Sequence, residues 1–109
     1  MRVTSRHRIE RDWTEARAKV AAEGACRVCG AGRPQAAHLI GRRLDRADAH
    51  GAVRVHPDDV VPLCARCHRA YDGRRLDLVP YLTRAEQARA VALVGLVAAL
   101  RRLSGRRAA

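Results

Sequence analysis

The chain has 109 residues and is strongly basic, with 22 lysines and arginines against 11 acidic residues and a net charge of +11. This length predicts one domain, spanning residues 1–109, with a modest core. Residues 1–10 lack the apolar run of a secretory signal, and the longest apolar stretch, residues 90–100, falls well short of the ~20 residues that span a membrane. These features argue against a secreted or membrane protein and predict a cytoplasmic one.

Arginine supplies nearly all of the positive charge, since Lys19 is the only lysine. The planar guanidinium matches the geometry of a phosphate better than an ammonium does. The excess therefore favours a polyanionic partner, of which nucleic acid is the commonest. The alternative is that a composition rich in Ala, Arg and Val reflects a genome-wide bias.

The first predicted element is a helix over residues 9–23, where apolar residues recur at spacings of three or four and Gly24 supplies a stop. A short strand is predicted over residues 35–40 around a histidine. Residues 41–57 are polar and predict a loop, and a loop of that length in a compact domain is usually functional or disordered.

A second short strand is predicted over residues 60–63, followed by a short helix over residues 64–72. The longest predicted helix covers residues 83–103, where Thr83 and Glu86 match a capping box. Its apolar stripe predicts packing on the core or, alternatively, a dimer or partner surface; its members are Leu93, Leu96, Val97, Leu100 and Leu103. Residues beyond this helix are expected to fray.

Two cysteine pairs, Cys26-x-x-Cys29 and Cys64-x-x-Cys67, have the spacing of zinc knuckles. Two disulfides or four free thiols are the alternatives, but a reducing compartment favours metal. Four thiolates complete a tetrahedral shell around Zn²⁺ and leave no open position. The pattern therefore predicts a structural zinc ion that takes no part in catalysis.

Two histidines lie close to the cysteine pairs in the sequence. His38 stands in Ala-Ala-His38-Leu-Ile, which follows the first cysteine pair. His68 stands in Cys67-His68-Arg-Ala-Tyr-Asp72, which the segment Asp59-Val-Val-Pro-Leu-Cys64 precedes. Over residues 26–73, less than half of the chain, this text resembles the HNH nucleases, a branch of the ββα-metal fold. It is most similar to the small phage-type members with four zinc cysteines.

The resemblance implies a role for each matching residue. His38 matches the general base that takes a proton from water, and His68 matches the histidine that binds a catalytic divalent metal, which is Mg²⁺, Mn²⁺, Ni²⁺ or Zn²⁺. Asp59 stands where the family has an asparagine that pins a loop and orients the base. Many members place a metal ligand directly before the base, where this chain has Ala37.

The missing ligand needs a replacement, and Asp72 is the candidate because it lies four residues after His68 on one helix face. Capping or terminating the helix is the alternative role for Asp72. Other carboxylates and a histidine in the polar loop are weaker candidates.

Arginines near the histidines are candidate phosphate contacts, with a solvated surface charge as the alternative for each. A phosphodiester is anionic, so cleavage requires positive groups that hold the strand. The candidates are Arg42, Arg43, Arg46, Arg66, Arg69, Arg74 and Arg75.

The predicted fold class is α+β: a small zinc-stapled ββα-metal core over residues 26–73, flanked by N- and C-terminal helices over 9–23 and 83–103. The predicted function is that of a metal-dependent endonuclease which nicks DNA or cuts both strands, working as a monomer or homodimer. The resemblance further implies a phage or prophage origin and, in some members, work beside the packaging terminase. The alternative is a zinc-ribbon module that binds DNA without cleaving it.

Overall fold

The computed structural model of the protein describes residues 11–41, 46–47 and 53–106. Within these ranges the fold is α+β, as predicted, with four α-helices and two small sheets. The helices are α1 (Thr14–Glu23), α2 (Ala65–Asp72), α3 (Arg84–Val94) and α4 (Leu96–Ser104). The strands are β1 (Arg11–Asp12), β2 (Gln35–His38), β3 (Arg46–Ala47), β4 (Val53–Arg54) and β5 (Val60–Leu63).

The first helix begins at Thr14 and not at residue 9, and this corrects the predicted flank. Residues 11 and 12 instead form β1, which pairs in parallel with β4. The Asp12 carboxylate accepts a hydrogen bond from the Thr14 backbone N–H at 2.9 Å, which satisfies one free donor at the helix start. Gly24 closes the helix with φ 72°, as expected of a glycine stop.

The centre of the molecule is a ββα unit made of β2, β5 and α2. The two strands are antiparallel, with Gln35 opposite Leu63 and His38 opposite Val60. The helix packs on this pair through Tyr71, whose hydroxyl donates to the Leu39 carbonyl. Burial raises the pKa of Tyr71 to about 12, so this donor stays protonated. The region predicted as a loop also holds β3 and β4, which pair antiparallel.

The predicted C-terminal helix is two helices, because Gly95 has φ 87° and ψ 163° and breaks the helical ladder. The capping box predicted at Thr83 and Glu86 is present at the start of α3. The break also divides the apolar stripe of the sequence. Leu103 is buried in the core, while three other stripe residues remain 45–63 % exposed; these are Leu96, Val97 and Leu100.

A buried polar cluster joins helices α1 and α3 to the ββα unit. Glu86 is fully buried, and its carboxylate accepts hydrogen bonds from Lys19 and Arg27, each at 2.5 Å. Lys19 also donates to the carbonyls of Pro57 and Val60, both at 2.8 Å. Every donor of the only lysine is therefore satisfied, as burial of a charged group requires.

No helix in the described part of the chain is long and apolar enough to cross a bilayer.

Candidate metal centre and adjoining cleft

The four cysteines come together as the spacing predicted. Their sulfur atoms all lie within 4.8 Å of one another, and the Sγ atoms of Cys29 and Cys64 are 3.6 Å apart. Zn–S bonds of ~2.3 Å in a tetrahedron place sulfurs about 3.8 Å apart, so this donor set fits Zn²⁺. All four cysteines are free thiols, so the alternative of two disulfides is excluded.

Each cysteine pair owes its geometry to a short turn. In the first, the Gly30 N–H donates to the Cys26 carbonyl at 2.9 Å, and Gly30 has φ 79°, a conformation that glycine adopts without strain. In the second, Cys64 is the N-cap of α2, and its sulfur accepts from the Cys67 N–H at 3.4 Å. Local hydrogen bonds thus aim the sulfurs at a common point.

The thiols differ in how readily they ionise. Burial opposes ionisation of Cys26, but N–H groups of Cys29, Cys64 and Val28 outweigh it and lower its pKa to about 6. Burial and the neighbouring sulfurs raise the pKa of Cys67 to about 12. Four thiolates this close therefore require a cation between them, as a structural metal would supply.

A cleft of about 360 Å³ lies beside the metal centre and brings the two predicted catalytic histidines together. His38 comes from the end of β2, His68 and Asp72 come from α2, and Arg102 comes from α4. The remaining lining residues are Ala36, Ile40 and Gly41. The side chains of three separate elements therefore converge on one space.

His38 is half-buried at the carboxyl end of β2. Its ring meets the Trp13 ring edge-to-face, with centroids 5.3 Å apart and an interplanar angle of 87°. The next residue, Leu39, donates its N–H to the Asp59 carbonyl at 2.9 Å. These contacts fix both the backbone and one edge of the imidazole.

His68 is held from both sides. Its Nδ1 lies 2.8 Å from the Gln35 amide oxygen, which can only accept, so Nδ1 is placed to donate to it. The Asp72 carboxylate lies 3.5 Å from Nε2, with both groups partly exposed. A histidine that donates one nitrogen and offers the other beside a carboxylate has the arrangement of a metal ligand.

The position before His38 carries no metal-binding side chain. Ala37 is fully buried in the core, because alternation along β2 turns it away from the face that carries His38. His68 and Asp72, four residues apart on α2, are thus the neighbouring cleft residues that could bind a cation together. In the described part of the chain, only the cysteine cluster brings three or more potential ligands close together.

Asp59 occupies a buried position directly before β5. Its carboxylate accepts from Arg89 at 2.9 and 3.4 Å, and its carbonyl accepts from Leu39. The side chain thus joins the turn before β5 to α3, while the backbone anchors the residue after His38. Sequence reasoning did not anticipate Arg89, since the two partners are thirty residues apart and follow no local spacing.

Arg102 is the cleft residue that sequence reasoning missed as a site residue. Its guanidinium stacks 3.9 Å from the Tyr71 ring centroid and donates to the Tyr71 carbonyl at 3.1 Å. It also lies 3.6 Å from the Asp72 carboxylate. A single straight helix over residues 83–103 would place Arg102 away from the cleft. Arg102 reaches the cleft because the chain breaks at Gly95.

The predicted phosphate-contacting arginines fall into two groups. Arg66 and Arg69 are exposed on α2, and Arg74 and Arg75 are exposed just after it. The others lie outside the described side chains: Arg42 and Arg43 are not among the described residues, and only the backbone of Arg46 is described, in β3.

Comparison with protein-family models finds no match to the chain, and no curated protein or solved structure matches it either.

Proposed function

We propose that the protein is a metal-dependent endonuclease of the HNH type, which hydrolyses DNA phosphodiester bonds by nicking or double-strand cleavage. The observation that carries this proposal is the shared cleft of His38 and His68. An imidazole on a strand and a second imidazole beside a carboxylate on the following helix form a reaction site open to a large substrate. The excess of arginine supplies attraction for a polyanion.

In this proposal His38 is the general base. An imidazole can take a proton from water near neutral pH, and the Trp13 ring keeps this one in a single orientation. Because the cleft is open, a phosphodiester can approach the water from the solvent side. Fixing the base before the substrate arrives lowers the entropic cost of reaching the transition state.

His68 and Asp72 would hold the catalytic divalent ion, which is Mg²⁺, Mn²⁺, Ni²⁺ or Zn²⁺. Such an ion supplies positive charge at the phosphate as negative charge develops there. Gln35 fixes the His68 tautomer that leaves Nε2 available. Arg102 adds a fixed positive charge to the same cleft, where it can contact a phosphate oxygen.

We further propose that the cysteine cluster holds a structural Zn²⁺. A cytoplasmic setting accords with this, because thiols stay reduced there. The metal joins the turn before β2 to the start of α2, and so fixes the separation of His38 and His68. The catalytic ion would be a separate one, since four sulfurs leave zinc without an open position.

A zinc-ribbon module that binds DNA without cleaving it is the second candidate. The observation that favours it is the contact between Asp72 and Arg102, since a guanidinium competes with a metal ion for that carboxylate. Position 37 also lacks the usual additional ligand, because it is an alanine and its side chain is buried in the core.

Plasmid relaxation with each of the four ions tests the two candidates. The nuclease proposal expects wild type to nick or linearise the plasmid and His38→Gln to lose cleavage on the order of 10²- to 10⁴-fold. The matched control is His56→Gln, because His56 lies outside the cleft, where its Nδ1 accepts a hydrogen bond from the Asp58 N–H. Wild type that shifts DNA but cuts it with none of the ions would establish the binding module instead.

A further inference from the structure

We propose that the C-terminal helix extends the cleft into a binding site for the phosphodiester backbone of the DNA that flanks the cut. This inference rests on the proposed function and adds a substrate-contacting surface outside the ββα unit. The surface is a groove of about 630 Å³, called here the arginine groove. Its basic residues are Arg74, Arg101, Arg102 and Arg106.

The groove adjoins the cleft, because Arg102 lines both. Arg102 is held in place by the Tyr71 ring and carbonyl, so the junction between the two spaces is fixed. A strand whose phosphate enters the cleft therefore leaves it past Arg102. The adjoining phosphates then meet the remaining arginines of the groove.

Residues 104–106 at the end of α4 are hydrogen-bonded, which corrects the expectation of fraying for them, while residues 107–109 lie outside the described residues. The Arg106 N–H donates to the Arg101 carbonyl at 3.0 Å, and the Gly105 N–H donates to the Arg102 carbonyl at 3.3 Å. With Gly105 at φ 77°, these two bonds are a Schellman motif. The motif fixes the backbone of three groove arginines relative to one another.

A second set of contacts places Arg74 beside them. A Cβ at Gly105 would lie only 3.0 Å from the Leu76 carbonyl oxygen, so only glycine allows this close approach. The Leu78 N–H donates to the Leu103 carbonyl at 2.8 Å, and Arg74 Nη1 donates to the Arg106 carbonyl at 3.5 Å. The groove is thus assembled from two chain segments before any ligand arrives.

The charge of the groove is largely uncompensated. Its lining contains no acidic residue. Within residues 11–41 and 53–106, the only ion pair of a groove arginine is that of Arg102 with Asp72, whose carboxylate is 60 % exposed. The guanidinium groups of Arg74, Arg101 and Arg106 are therefore available to phosphate oxygens, which they can bind bidentately.

The experiment measures duplex DNA binding by the zinc-loaded full chain over a series of NaCl concentrations, without added catalytic metal. The groove variant is Arg101→Gln with Arg106→Gln. The control, Arg33→Gln with Arg84→Gln, removes the same charge from exposed positions that line neither the cleft nor the groove. Thermal unfolding of each protein checks that all remain folded.

We expect the groove variant to bind DNA on the order of 10- to 100-fold more weakly at ~0.1 M salt, and its salt dependence to fall by about two counterions. The control should keep the salt dependence of wild type. Equal losses in both variants, or no loss in either, would overturn the proposal.

The two proposals fail in different ways. Wild type that binds duplex DNA but cuts none overturns the nuclease, while the binding comparison still decides the groove. Wild type that cuts DNA, with a groove variant that binds as tightly as wild type, overturns the groove alone. Wild type that does not bind duplex DNA overturns both.

Discussion

The cysteine cluster and the histidine cleft lie side by side but are built in opposite ways. Each cysteine pair belongs to one turn, and backbone N–H groups hold its sulfurs in place. The cleft takes its side chains from β2, α2 and α4, and its carboxylate, Asp72, is shared between His68 and Arg102. A closed site of four sulfurs is complete once its metal is bound and has no position for a further ligand. An open site with a shared carboxylate instead changes its contacts when a ligand enters.

The largest effect should come from breaking the cluster. Cys67→Ala, or removal of zinc by a chelator, is expected to unfold the domain, because binding of a structural zinc contributes on the order of 10 kcal/mol to folding in small zinc domains. Far-UV circular dichroism together with measured zinc content provides the check. A protein that keeps its spectrum and cooperative melting without metal would contradict the structural role.

A substitution outside the cysteine cluster should also destabilise the fold around it. Arg27, within the first cysteine turn, donates to the buried Glu86, so Glu86→Gln removes the buried carboxylate that Arg27 and Lys19 share. We expect a loss of about 3–5 kcal/mol in the free energy of unfolding by urea. Glu23→Gln is the control: that carboxylate pairs with Arg27 at the surface, and its loss should cost at most about 1 kcal/mol. Equal losses would mean that burial of Glu86 does not matter.

The cleft should respond in function, with little change in stability. Asp72→Asn removes a charged ligand beside His68 and is expected to raise the metal concentration for half-maximal cleavage on the order of 10- to 100-fold. Asp77→Asn is the control, because Asp77 caps the Val79 N–H outside the cleft and asparagine can keep that bond. If Asp72→Asn cleaves at the same metal concentration as wild type, Asp72 is not a ligand.

The smallest effect concerns pH. Burial raises the pKa of Glu86, but its hydrogen bonds from Arg27 and Lys19 outweigh burial and hold it below its ordinary value of 4.5. Its stabilising contribution is therefore complete above pH 4.5 and declines as the pH falls through the lower, folded-state pKa. Unfolding free energies of wild type and Glu86→Gln, both zinc-loaded, should thus converge in acid. A constant difference between the two would contradict this.

Local signals in the sequence predicted the parts of the molecule that depend on neighbouring residues. The strand over residues 60–63, the helix that follows it and the Thr83 capping box are present with those bounds or within one residue. The prediction of one continuous C-terminal helix was wrong at Gly95. Helical propensity tolerates a single glycine, but in the fold Gly95 adopts a positive φ that ends α3. The predicted start of α1 was wrong because residues 11 and 12 pair with β4 and form a strand.

The sequence by itself determined the α+β class and the cysteine cluster, because C-x-x-C turns and hydrophobic periodicity act over a few residues. Only the tertiary structure decided that Arg102 lies beside Asp72, that Arg89 donates to the Asp59 carboxylate, and that the Lys19 ammonium donates to the buried Glu86 carboxylate. Most of these contacts join residues thirty or more positions apart. Such contacts form only after the Gly95 break and the packing of α3 and α4 have brought distant segments together, and no spacing along the chain encodes them.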